Sequence, residues 1–167
     1  MGRFVLMLAA SLCLSTAARA QWAVYPGAQR DAAAEVKAAE AMRAAGMGAG
    51  SSQFVATTPD SFEKVLAFYR SRGKEMTFPL APGLAGSGYE RELPGGFKRG
   101  ANGMEATPSG LKAKPVIFIF DGAADLATSK DWISITRPYV GEVVPEGGVF
   151  KYRDVRDVTA IVRAQKQ

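Results

Sequence analysis

The chain contains no histidine, and its single cysteine is Cys13. Without imidazole there is no Ser-His-Asp or Cys-His machinery and none of the usual nitrogen ligands for zinc, copper or haem. With its only cysteine so close to the start, the rest of the chain has no disulfide and no thiol nucleophile. A dinucleotide fingerprint, a phosphate-binding glycine loop and an internal repeat are also missing; Gly46–Gly50 lacks the lysine and the strand-to-helix setting that a phosphate loop requires. No cofactor is expected. The chemistries left open are carboxylate acid–base work, a Ser-Lys dyad, a tyrosine nucleophile and an oxygen-ligand metal site.

Residues 1–20 read as an export leader. Arg3 supplies a positive start, Phe4 to Leu14 an apolar run, and Ala18-Arg19-Ala20 a small-x-small cleavage pattern. The apolar run is shorter than the about 20 residues a membrane span needs, and Leu12 before Cys13 does not suit a lipid-modified cysteine. Cleavage is expected near Ala20-Gln21, which would put the protein in a periplasm or outside the cell with no transmembrane span. Removing residues 1–20 of the 167 leaves 147 and takes away Arg3 and Arg19, so the formal charge falls from +5 to +3. That length suits one domain. The mild basic excess is compatible with weak attraction to an anionic envelope polymer and too small to indicate nucleic acid.

The best-defined element is the helix expected over 61–72. Asp60 and Glu63 have capping-box spacing, Pro59 lies near the first turn, and Gly73 ends the segment. Phe62, Val65, Leu66 and Tyr69 form one apolar stripe with Phe68 at its flank. A second helix is expected over 31–45, rich in Ala, Glu and Lys, capped by Asp31 and ended by Gly46, with Lys37 and Glu40 spaced to pair. Its apolar face is thin, with Val36 and Met42 the only large aliphatic side chains. Residues 21–52 thus read as a Pro26-Gly27 turn, this helix and a flexible connector, and 53–167 as the main domain.

Strands are expected at Gln53–Thr57, Val116–Phe120, Trp132–Arg137 and Val155–Arg163, with Tyr89–Leu93 as an edge strand. Val116–Phe120 is apolar on both faces, as a central strand should be. Residues 76–114 hold repeated Gly and Pro breakers and read as an irregular region, either a functional loop system or poorly ordered. Glu142–Gly148 reads as a turn. Short connections and no convincing crossover helix point to an α+β domain: an antiparallel sheet of four to five strands with the 61–72 helix across one face.

Tyr25-Pro26-Gly27-Ala28 before a helix, then Thr57, Asp60-Ser61, Val65 and Phe68-Tyr69, resembles a pattern in uncharacterised exported bacterial proteins. Ser129–Ile133 and Arg156–Thr159 are similar to the same group. The resemblance implies export and a small α+β domain. It carries no activity and no functional residues.

Ser129-Lys130, with Asp121, Asp125 and Asp131 nearby, is the one serine beside a lysine. Neighbours entering a strand point in opposite directions and the carboxylates would keep Lys130 charged, so a polar turn is the better reading. The three aspartates lack calcium-loop spacing, and no metal is expected. Glu90 and Glu92 share a face of an exposed strand, which suits a solvated edge better than a pair of catalytic carboxylates. The remaining candidate is a binding face made of Trp132, Arg137, Tyr139, Tyr152, Arg153 and Arg156, with Arg163 close by. Such a face suits an anionic polymer, a phosphate-bearing lipid or a protein partner; its competitor is cross-strand pairing with Asp154 and Asp157. The expected function is a non-catalytic binding or accessory module of the envelope, with a cofactor-free carboxylate hydrolase as the alternative.

Overall fold

The computed structural model describes residues 22–44, 51–76, 90–101 and 103–166. The expected leader and cleavage position, the Gly46–Gly50 connector, Tyr89 and the breakers between Phe78 and Gly88 lie outside the described residues.

The fold is a large antiparallel sheet with two short helices, and not an α+β domain of four to five strands. Nine strands occur among the described residues: β1 (Gln29–Arg30), β2 (Ser51–Thr58), β3 (Lys74–Met76), β4 (Arg91–Gly100), β5 (Gly103–Ile119), β6 (Asp131–Arg137), β7 (Tyr139–Glu146), β8 (Val149–Arg156) and β9 (Thr159–Lys166). The helices α1 (Ala32–Ala44) and α2 (Phe62–Arg70) fall within the spans expected for them. No helix among the described residues is long and apolar enough to cross a membrane.

The corrections concern the Gly- and Pro-rich stretches. The part of the span 76–114 that β4 and β5 occupy is not an irregular region: the two strands pair as a long hairpin. Its ladder absorbs the breakers through register shifts between Glu92 and Gly96, which is how a strand accommodates Pro94, Gly95 and Gly96. Glycine is required at Gly95, since a Cβ there would collide with the Pro108 carbonyl. Similarly, Glu142–Glu146 is strand; only Gly147 and Gly148, both at positive φ, make the turn. The expected strand over 155–163 is two strands, β8 and β9, divided at Asp157-Val158.

β6 and β7 are separated only by Pro138, and they pair with β9 and β8 respectively, so residues 131–166 make a second long hairpin. Thr136↔Ala160 is followed by Tyr139↔Arg156, leaving one extra residue on the β8–β9 side. The inner halves of both hairpins join β2 in the order β2-β9-β6-β5, with β3 on the other edge of β5. The outer halves extend as two ribbons, β4–β5 and β7–β8, that meet at one bridge, Gly96↔Val149.

Strand alternation divides the apolar residues between the two faces of the inner sheet. On one face Ala56, Ile161, Ile135 and Val116 lie in a row across four strands. With Phe118, Ile133 and Phe120 they receive Phe62, Val65, Leu66 and Tyr69 of α2. Burying these four helix side chains contributes on the order of 10 kcal/mol before entropy is counted. Ser61, and not Asp60, caps α2, its Oγ accepting from the Lys64 amide at 3.3 Å. The opposite face carries Val55, Ala160 and Val162, covered by Ala34 and Ala38 of α1 and joined by Tyr139.

The residues that carry the resemblance meet in space. Tyr25 packs edge-on against Phe68 at 5.2 Å, its hydroxyl donates to Asp60 at 2.7 Å, and the Tyr69 hydroxyl donates to the Ala23 carbonyl at 3.0 Å. The segment before α1 is thereby sealed over α2. Burial pushes the Tyr69 phenol up to about 12, so it remains a protonated donor.

Candidate binding groove

Asp31 and Glu35 fix α1 in place. Asp31 caps the helix through the Ala34 amide at 2.9 Å. Its second oxygen takes a hydrogen bond from Arg156 at 2.9 Å. Glu35 accepts both arms of the Arg30 fork, at 2.8 and 2.7 Å, and the Val55 amide at 3.1 Å. Both carboxyl groups are held below their ordinary range, Asp31 first by the Ala34 amide and Glu35 first by Arg30. Lys37 reaches Asp154 on β8 at 3.7 Å, and not Glu40.

Between α1, β2, β9 and β7 this latch leaves an open groove of about 650 Å³. Its floor is Ala34, Ala38, Val55 and Val162, and its far wall is five consecutive β7 residues, Tyr139 to Val143. Successive strand side chains point to opposite faces, so a wall made of five residues in a row is the edge of the strand. Among the described residues β7 ends the strand order. Its outer edge therefore presents backbone N–H and C=O groups to an apolar hollow.

A smaller hollow of about 330 Å³ lies beside the start of α2, lined by Glu63, Glu90, Lys112, Lys114, Arg137 and Asp157. Its charges pair among themselves: Lys114 with Glu63 at 2.6 Å, Lys112 with Glu90 at 3.4 Å, and Arg137 with Asp157 at 3.0 Å. It offers an incoming ion little.

The six residues expected to form one face are dispersed. Trp132 is half-buried on β6, in register with Ile119 and Ala164. Tyr139 is buried and stacks under the Arg156 guanidinium at 4.1 Å, so these two do come together, at the groove. Tyr152 shares their face and donates to the Pro94 carbonyl at 2.5 Å. Arg153 points to the other face and pairs with Glu146 at 2.7 Å. Arg137 is turned toward α2, donating to Asp60, Thr159 and Asp157. Arg163 forms a two-pronged pair with Asp131, 2.8 Å on each arm, beneath Trp22.

Asp121 organises the turn before β6. Burial pushes its carboxyl up, but the amides of Lys130, Ala123 and Asp131 and the Ser129 hydroxyl outweigh this and hold it low. Ser129 is fully buried and Lys130 exposed, so the two do not converge as a dyad. Asp125 is held by Thr128 and Asp131 by Arg163. No cluster of three potential metal-ligating side chains occurs among the described residues.

Sequence reasoning missed Val140, Gly141 and Val143, because Pro145 and Gly147-Gly148 made their neighbourhood look like a turn. The β-branched Val140, Val143 and Val144 were the available strand signal. No family model, no curated protein and no solved structure matches the chain.

Proposed function

We propose that the protein is an exported, non-catalytic binding module that receives an extended, apolar segment of a partner protein along β7. The observation that carries this is the groove wall of five consecutive residues, which joins a strand edge unpaired among the described residues to an apolar floor. Strand addition uses both features: the edge supplies main-chain hydrogen bonds and the hollow takes alternate side chains. Pro145 and the Gly147-Gly148 turn mark where such pairing stops. An anionic polymer is less suited, because among the described residues Lys37 is the one cation lining the groove and it is paired with Asp154. Export is read from Arg3, the Phe4–Leu14 run and Ala18-Arg19-Ala20.

A hydrolase using carboxylates would need one acid with a raised pKa. Among the described residues each displaced carboxyl, Asp31, Glu35, Asp60, Glu63, Asp121 and Asp125, is displaced downward. This supports the non-catalytic reading.

Selection of a displayed peptide library on the purified protein tests the proposal. Enriched peptides should alternate apolar residues, slow amide exchange over 139–144, and bind Val143→Asp at least tenfold more weakly. Peptides that protect another segment, or that bind Val143→Asp as well as the parent, would refute it.

A further inference from the structure

Two large apolar side chains are exposed at the far end of the β4–β5 ribbon. Phe97 is 51% exposed and Met104 69% exposed. In the ladder Phe97 stands opposite Ala106 and Arg99 opposite Met104, so these four residues share one face. The Phe97 ring is steadied by Phe150 of the neighbouring ribbon, edge-on at 5.6 Å. Lys98 and Arg99 are both exposed. The ion pairs of the two ribbons engage Lys112, Arg153 and Arg156, and among the described residues Lys98 and Arg99 take part in none. Glu105 lies opposite Lys98, on the face away from Phe97.

We propose that this ribbon end is a contact for an anionic lipid bilayer. Phe97 and Met104 enter the boundary between headgroups and acyl chains, and Arg99 on the same face lies against the lipid phosphates, with Lys98 adding positive charge from the back of the two-stranded ribbon. Scattered apolar residues on a surface are ordinary; here two large ones share a face with Arg99, which has no ion-pair partner among the described residues, while Lys98 stands on the opposite face across from Glu105. A stable protein interface needs about 20–30 residues a side, far more than this tip offers. Shallow insertion of an aromatic and a thioether side chain beside basic residues needs no more than what is present. The site stands apart from the groove, so its test is independent of the peptide proposal.

Cosedimentation of the purified protein with vesicles is the assay, using phosphatidylglycerol mixed into phosphatidylcholine against phosphatidylcholine alone. Binding is expected to the anionic vesicles and to be at least tenfold weaker to the neutral ones. Lys98→Glu with Arg99→Glu, and separately Phe97→Ser with Met104→Ser, should each lower the anionic partition about tenfold or more. Val143→Asp should leave it unchanged. A polarity-sensitive dye on Met104→Cys should brighten on anionic vesicles, and one on Glu40→Cys should not; this readout holds even where a double variant folds poorly. No binding, equal binding to neutral vesicles, indifference to both double variants, or a dye that does not brighten would overturn the proposal. So would a concentration-dependent dimer abolished by Phe97→Ser, which would assign the patch to a second copy of this chain.

Discussion

Arg137 separates a structural cation from one available to a ligand. Its Nη1 donates to the Asp60 carbonyl at 2.9 Å, the Thr159 hydroxyl at 3.2 Å and the Pro59 carbonyl at 3.3 Å. Nε reaches the Asp157 carboxylate at 3.0 Å and Nη2 the Asp157 carbonyl at 3.1 Å. These bonds tie the loop that enters α2 to the point where the inner and outer halves of the second hairpin meet. The Asp157 side chain is 85% exposed, so its ion pair contributes little. The carbonyl contacts matter more, although Asp60 keeps a second donor in the Thr159 hydroxyl at 2.7 Å. Arg137→Ala should therefore cost about 2–3 kcal/mol, from charge-assisted bonds lost at a partly buried site. For a chain of this size that lowers the unfolding midpoint by about 4–10 °C. Arg137→Lys keeps the charge but not the planar fork, and should lose about half as much. Asp157→Asn should cost under about 0.5 kcal/mol. Urea titration followed by tryptophan fluorescence reads all three. If Arg137→Ala stays within about 0.5 kcal/mol of the parent at unchanged m, the side chain is not a structural tie, and its place in a ligand face is restored.

Two further outcomes can be checked by thermal unfolding. With no histidine to titrate, stability should be nearly flat between about pH 5.5 and 8.5. The depressed carboxyls Asp31, Glu35 and Asp121 contribute stability that is present above the ordinary carboxylate pKa of about 4 and lost as pH falls toward their folded values. Tyr69 works in the opposite sense: its phenol is raised to about 12, so its contribution is complete below about pH 10 and is lost as pH rises through 12. A melting midpoint that slopes across neutral pH would contradict this assignment. Ser61→Ala removes the N-cap of α2 and should cost about 1 kcal/mol; an unchanged midpoint would show that α2 is held by packing alone.

The two helices were legible because their signals are local. Asp31 is a polar cap at a fixed distance from its run, the start of α2 was legible although its cap is Ser61 and not Asp60, and the α2 stripe repeats every turn regardless of what it packs against. The inner strands were legible for a similar reason: Val116–Phe120 and Trp132–Arg137 lie in the sheet core, and their patterns reflect burial. The outer ribbons were not. Ribbons exposed on both faces have no burial pattern to impose on their sequence, so β4 and the first part of β5 retain the glycines, prolines and charges of a loop. What holds them as strands is pairing with each other, with Gly95 allowing close approach to Pro108.

The candidate site shows the same division. Residue types alone established which chemistries are missing: without histidine, and with Cys13 as the only cysteine, thiol and imidazole catalysis are excluded beyond Cys13 wherever the chain goes. They also placed Tyr139 and Arg156 among six residues of a candidate binding face, since aromatic and arginine side chains suit an anionic or protein partner. That these two stack at 4.1 Å, while Arg137, Arg153 and Arg163 turn to separate carboxylates, depends on register and on the extra residue near Asp157. A shift of one residue would send each side chain to the other face. The β7 edge, where the groove opens, is a property of strand order, set by pairings between residues far apart in the chain. Local sequence determines the elements and their caps; which edge stays open, and which cations stay free, is decided only when the hairpins close on one another.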